Sequence, residues 1–158
     1  MMTRRALLVG STIGLTIGRI ASSPAAETLE VMHSDAEWRK LLTPAHYEVL
    51  RKAATERPFT SPLLDEHRHG TFTCAGCELA LFASDTKFES GTGWPSFWAP
   101  LAKAIGTTQD TTLGMTRTAV ECTRCGGHLG HVFDDGPKPT GLRYCINGVA
   151  LTFKLATA

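Results

Sequence analysis

Two Cys-x-x-Cys pairs constrain this chain more than any other feature. Cys74-Ala75-Gly76-Cys77 and Cys122-Thr123-Arg124-Cys125 are separated by 44 residues. Two-residue spacing lets both sulfurs of a pair reach one ion from a tight turn, and two such pairs complete a tetrahedral four-thiolate site. Gly76 and Gly126 are expected to supply the permissive backbone those turns require. Zinc is the leading metal, because it favours closed structural sites of four cysteines; iron in a similar cage is the competitor. Disulfide bonding is the other reading of the four, since thiols tend to pair in an oxidising compartment. A structural metal would tie the first β segment to the third quarter of the chain and contribute folding energy directly.

A fifth cysteine, Cys145, then has no cysteine partner. It lies in Arg143-Tyr144-Cys145-Ile146-Asn147, where an extended backbone sets Arg143 and Cys145 on one face. A neighbouring Arg favours the thiolate, the reactive form of the side chain. Cys145 therefore reads as a nucleophile, against the alternative of a small buried core residue.

The first 26 residues read as a separate export signal. Arg4 and Arg5 precede a weakly apolar run to about Ile17, and Ser23-Pro24-Ala25-Ala26 offers small residues for cleavage. Paired arginines in that place resemble the twin-arginine type, which carries folded protein and points to the bacterial periplasm. A run broken by Gly10, Gly14 and Gly18 is short for a membrane anchor. Residues 27–158 are expected to form one domain. They carry 13 basic against 15 acidic side chains. The absence of a basic excess argues against nucleic-acid binding as the main role.

Ser34-Asp35-Ala36-Glu37 fits a capping box ahead of Trp38, Leu41 and Leu42, and Thr43-Pro44 starts a second short helix with Tyr47, Leu50 and Ala54 as its apolar stripe. Core packing is the expected use of both. Beyond Phe59 the texture turns to short runs rich in Thr, Val and Phe between Gly, Asp and Pro, so the remainder is mainly β. Strands are expected over 71–74, 79–83, 104–108, 113–122, 128–134, 142–146 and 149–154.

Four stretches together resemble the B-type methionine sulfoxide reductases in order and spacing. They are Phe88-Glu89-Ser90-Gly91-Thr92-Gly93-Trp94-Pro95-Ser96-Phe97, Cys125-Gly126-Gly127-His128-Leu129-Gly130-His131-Val132-Phe133, Asp135-Gly136-Pro137 and Arg143 to Asn147. The resemblance implies a mainly β fold of two antiparallel sheets with short N-terminal helices and a four-cysteine zinc site. It also implies reduction of methionine-R-sulfoxide, in oxidised proteins or peptides and in free form. In that family Cys145 would attack the sulfoxide sulfur and become a sulfenic acid. His131 would be the principal proton donor with His128 assisting, Trp94 would wall the pocket for the substrate methyl group, and Arg143 and Asn147 would border the cysteine. Trp38 and Trp98 read as packing.

For both histidines, three apart on a strand, to point inward, the strand needs a bend or bulge, with Gly130 a plausible pivot. Asn147-Gly148 is also a hairpin-turn signal, and relatives commonly carry serine where this chain has Gly148. Many members carry a resolving cysteine at the position of Thr92. Its replacement implies recycling by an external thiol, a thioredoxin-like partner or a small molecule. A monomer is expected. Two other classes compete: a non-catalytic zinc-ribbon-like binding module, and a thiol oxidoreductase using one Cys-x-x-Cys pair, which should bind no stoichiometric metal.

Overall fold

A computed structural model describes residues 29–157, so the expected export signal lies outside the described residues. Two short helices come first among the described residues, α1 (Asp35–Leu41) and α2 (Pro44–Lys52). The α1 capping box is complete: Ser34 Oγ accepts from Glu37 N and Glu37 Oε2 accepts from Ser34 N at 2.7 Å. Such a cap is worth about 1 kcal/mol, which matters in a helix too short to stand alone. Thr43 caps α2 through His46 N, with Pro44 in the first turn, and Ala53 ends it in the left-handed conformation. Trp38, Tyr47, Val49 and Leu50 are buried, so both helices serve the core. Leu41, expected in the apolar stripe, is exposed; Leu42, just past the helix end, turns inward instead.

Nine strands follow: β1 (Gly70–Cys74), β2 (Ala80–Ala83), β3 (Lys87–Phe88), β4 (Ser96–Phe97), β5 (Ile105–Asp110), β6 (Arg117–Cys122), β7 (His128–Phe133), β8 (Arg143–Ile146) and β9 (Leu151–Leu155). They form two antiparallel sheets, one ordered β2-β1-β9 and the other β3-β4-β8-β7-β6-β5. Phe72 and Phe82 of the small sheet meet Phe97 of the large one, ring centroids 4.9 and 4.3 Å apart, with all three fully buried. Burial of each such ring contributes roughly 2–3 kcal/mol, making this aromatic contact the main apolar joint between the sheets.

The expected strand over 113–122 begins later, at Arg117, because Thr112–Gly114 forms a 3-10 turn. Two-residue strands β3 and β4 were not expected; a dipeptide is too short to show alternation. Asn147-Gly148 does not form a hairpin turn. Strands β8 and β9 belong to different sheets, and residues 148–150 make a 3-10 turn that carries the chain from one to the other.

Candidate active site and metal centre

Strand β8 sits between β4 and β7, with Cys145 opposite Ser96 on one side and His131 on the other. Close approach of β7 depends on Gly130. A Cβ there would lie 2.1 Å from the Cys145 carbonyl oxygen and 3.0 Å from Ile146 Cα. One residue further back, β7 bulges: Val120 pairs with Gly130 but Glu121 pairs with His128, leaving Leu129 as the extra residue. The bulge resets the alternation, which brings His128 and His131 within 5.3 Å, centroid to centroid.

Cys145, His131, Trp94 and Asn147 line one cleft of about 110 Å³, together with Thr55, Arg117, Gly130 and Phe133. His128 faces a neighbouring cleft that shares Thr55 and Arg117 with the first. Burial, with the His131 ring beside it, pushes His128 down to about 4, and its Nε2 is buried without a hydrogen-bond partner among the described residues. At neutral pH it is uncharged.

Burial pushes the Cys145 thiol up, opposed first by the Thr92 hydroxyl and then by Arg143 and Ser96. The sequence alone suggests the opposite direction, because it places the cation but cannot show how deeply the sulfur is set. Thr92 Oγ1 lies 3.8 Å from Cys145 Sγ, and Ser90 Oγ links Thr92 (2.8 Å) to the buried Ser96 (2.7 Å). These hydroxyls occupy the sulfur's near side. Arg143 forks onto Asp135, both contacts at 2.8 Å, and lies 4.4 Å over the Phe133 ring. That fork fixes the guanidinium where it still acts on the thiol, although Arg143 does not itself line the cleft.

Asn147 is 4% exposed and fully engaged. Its Nδ2 donates to Leu129 O at the bulge, and its Oδ1 accepts from Glu56 N, each at 3.0 Å. Glu56 O in turn accepts from Trp94 Nε1 at 3.2 Å, while its carboxylate accepts from the amides of Gly148 and Val149. Residue 56 therefore holds two walls of the cleft. Nothing in its local sequence marks it. Position 148 has no room for a side chain: a Cβ would lie 1.8 Å from Ser61 Oγ and 2.5 Å from Ser61 Cβ.

Asp110, at the end of β5, also escaped the sequence reading. Its Oδ2 accepts from His131 Nε2 and from Arg117, each at 2.7 Å, and its Oδ1 accepts from Thr112 N (2.9 Å) and Thr112 Oγ1 (2.6 Å). The Thr112 contacts, followed by His131, hold this carboxyl well below the usual range. An Asp two residues before a Thr signals a turn, and only the pairing of β5, β6 and β7 brings it to the histidine.

The four knuckle cysteines gather at the join of the sheets, one pair following β1 and the other following β6. Their sulfurs all lie within 4.8 Å of one another, with Cys74 and Cys125 at 3.7 Å and Cys77 and Cys122 at 3.5 Å. A tetrahedral ion with metal–sulfur bonds of about 2.3 Å sets its sulfurs roughly 3.8 Å apart, close to the two separations above, so the cluster could hold a metal ion. No disulfide joins them. The left-handed residue of each knuckle is the one after its second cysteine, Glu78 and Gly126, not Gly76. Arg51 of α2 donates to Cys125 O at 2.9 Å, bracing the second knuckle.

The SelR domain matches residues 42–155. The chain belongs to the SelR family of B-type methionine sulfoxide reductases. Among its relatives, the peptide methionine sulfoxide reductase MsrB of Pseudomonas putida is 58% identical over 75% of this chain and 90% of its own length. Those of Agrobacterium fabrum and Leptospira interrogans are each 53% identical over 79% of this chain, covering 93% and 96% of their own lengths. Within the SelR domain fall all five cysteines, both histidines, Trp94, Arg143 and Asn147.

Proposed function

We propose that this chain reduces methionine-R-sulfoxide to methionine with Cys145 as nucleophile. The observation that carries the reading is one cleft joining a lone thiol, an indole wall and an imidazole bonded to a carboxylate. Cys145 thiolate attacks the sulfoxide sulfur while the oxygen takes a proton from His131. Sulfoxide oxygen is a poor leaving group until protonated, and imidazole is suited to supply the proton near neutral pH. Methionine departs and the oxygen stays on the enzyme as a sulfenic acid. Trp94 packs against the substrate methyl, Asn147 fixes the β7 bulge, and Arg143 supports the sulfur's negative charge.

Thr92 stands beside the sulfur where a resolving cysteine is found in many members, so two equivalents of an external thiol return the sulfenic acid to thiol, releasing water and a disulfide. A thioredoxin-like protein or a small thiol fits this step. Zinc is the metal proposed for Cys74, Cys77, Cys122 and Cys125, because four thiolates and no open position suit a structural zinc. Its contribution is to stability, and no step passes through it. Substrates are oxidised proteins or peptides, met as a monomer in the periplasm after export directed by residues 1–26; isolation of the chain from the cytoplasm with Met1 intact would count against export.

Single turnover without reductant tests the reading. Mature protein mixed with excess R or S epimer of a blocked methionine sulfoxide should release about one methionine per chain from the R epimer alone, and Cys145→Ser should release none. Release of none by folded, metal-loaded wild type would return the chain to the binding-module class. A disulfide from Cys145 to a knuckle cysteine in turned-over, active protein would overturn the external-thiol step.

A further inference from the structure

The geometry points to Asp110 as a positioning residue that fixes the tautomer of His131 and so aims its proton at the reaction cleft, a role that rests on the reductase reading above. Asp110 Oδ2 accepts from His131 Nε2 at 2.7 Å. A carboxylate accepts only, so the shared proton belongs to Nε2, and Nδ1 is the nitrogen left for exchange with substrate. No second hydrogen bond engages the His131 ring among the described residues. The carboxylate itself cannot swing away. Thr112 holds its other oxygen twice, and Arg117 shares Oδ2 at 2.7 Å.

Position supports the role as much as contact. Asp110 comes from β5, the edge of the large sheet, and reaches across β6 to a residue of β7 whose register partner is Cys145. The cost of assembling a proton donor from three strands is offset by rigidity: His131 is 9% exposed and Asp110 is pinned by four donors. The other ionisable groups facing this pair are Arg117 and Glu121 on β6, His128 on β7, Cys145 on β8 and Lys52 at the end of α2. Arg117 shares the carboxylate, His128 is neutral at working pH, and among the described residues Asp110 is the one carboxylate in contact with the His131 ring. When imidazolium gives its proton to the sulfoxide oxygen, the neutral ring keeps the Nε2 proton on Asp110, and the ring recovers its lost proton from solvent.

Asp110→Asn is the informative change. Its carbonyl oxygen can keep both Thr112 contacts, while its amide donates toward Nε2 and drives the ring proton to Nδ1. Single-turnover methionine release should fall at least about ten-fold at every pH from about 7 to 8, because the nitrogen facing the substrate no longer holds the proton to be given. Losing the Arg117 contact on the same oxygen should lower thermal stability, while Cys145 alkylation should stay close to wild type in the folded variant. Nitrogen NMR of the His131 ring gives a readout independent of turnover: the neutral form should carry its proton on Nε2 in wild type and shift toward Nδ1 in the variant. An unchanged rate profile with an unchanged tautomer overturns the assignment. Should Asp110→Asn fail to fold, the wild-type spectrum alone decides, since a proton on Nδ1 of the neutral ring is incompatible with it. Failure of wild type to release methionine sinks the reductase reading instead and leaves the tautomer measurement standing.

Discussion

At the scale of single residues, environment rather than identity separates the two histidines. His128 is pushed down to about 4 by burial, while an unfolded chain holds its imidazole near the ordinary value of about 6.5. The folded form thus binds fewer protons than the unfolded form across that interval. Stability from this group is complete above about pH 6.5 and is lost as pH falls toward 4, by at most about 3 kcal/mol. Urea titrations between pH 7 and 4 should show that loss in wild type and a smaller slope in His128→Gln; equal slopes would place the acid sensitivity elsewhere. The sequence marks both histidines as candidates only through the family resemblance. It cannot distinguish a neutral imidazole in a neighbouring cleft from one bonded to Asp110, because the distinguishing carboxylate lies 21 residues away on another strand.

Strands and turns were legible where chemistry is local. The Ser34 box and the Thr43-Pro44 start appear as expected because their bonds close within three residues. Non-local pairing decided the rest. Asn147-Gly148 carries a hairpin signal, yet the Asn side chain is claimed by Leu129 and Glu56, and the strands it might have joined part to different sheets. The β7 bulge was foreseeable from the histidine spacing, but not that Leu129 would be the extra residue, nor that Gly130 serves close packing against Cys145. Gly130→Ala tests this. Its methyl meets backbone on β8, which cannot rotate aside, so separation of β7 from β8 should cost roughly 3 kcal/mol or more. Denaturant melts should show the loss, with methionine release falling further than the folded fraction explains; wild-type stability would contradict the contact.

For the molecule as a whole, the cysteine cluster and the aromatic contact both lie between the same two sheets and rest on different physics. Phe72, Phe82 and Phe97 hold the interface by apolar burial, whereas the four cysteines, one pair from each sheet, could hold it by coordinating one metal ion. Two Cys-x-x-Cys pairs announced from sequence alone that the four sulfurs would gather; which strands they would bring together required the fold. Removal of the metal with a strong chelator, or Cys77→Ser, should lower the melting temperature by 10 °C or more, a shift of about 2 kcal/mol or greater for a domain of this size. Calorimetry with and without zinc checks it, and an unchanged melt would make the cysteines dispensable to the fold. A quieter coupling lies at the turn between the sheets, where Ser61 fills the space that a side chain at 148 would need. Rotating the hydroxyl does not clear it, since the Ser61 Cβ is also in the way. The two positions are therefore coupled: a side chain at 148 needs a residue smaller than serine at 61, so Gly148→Ser calls for Ser61→Gly beside it.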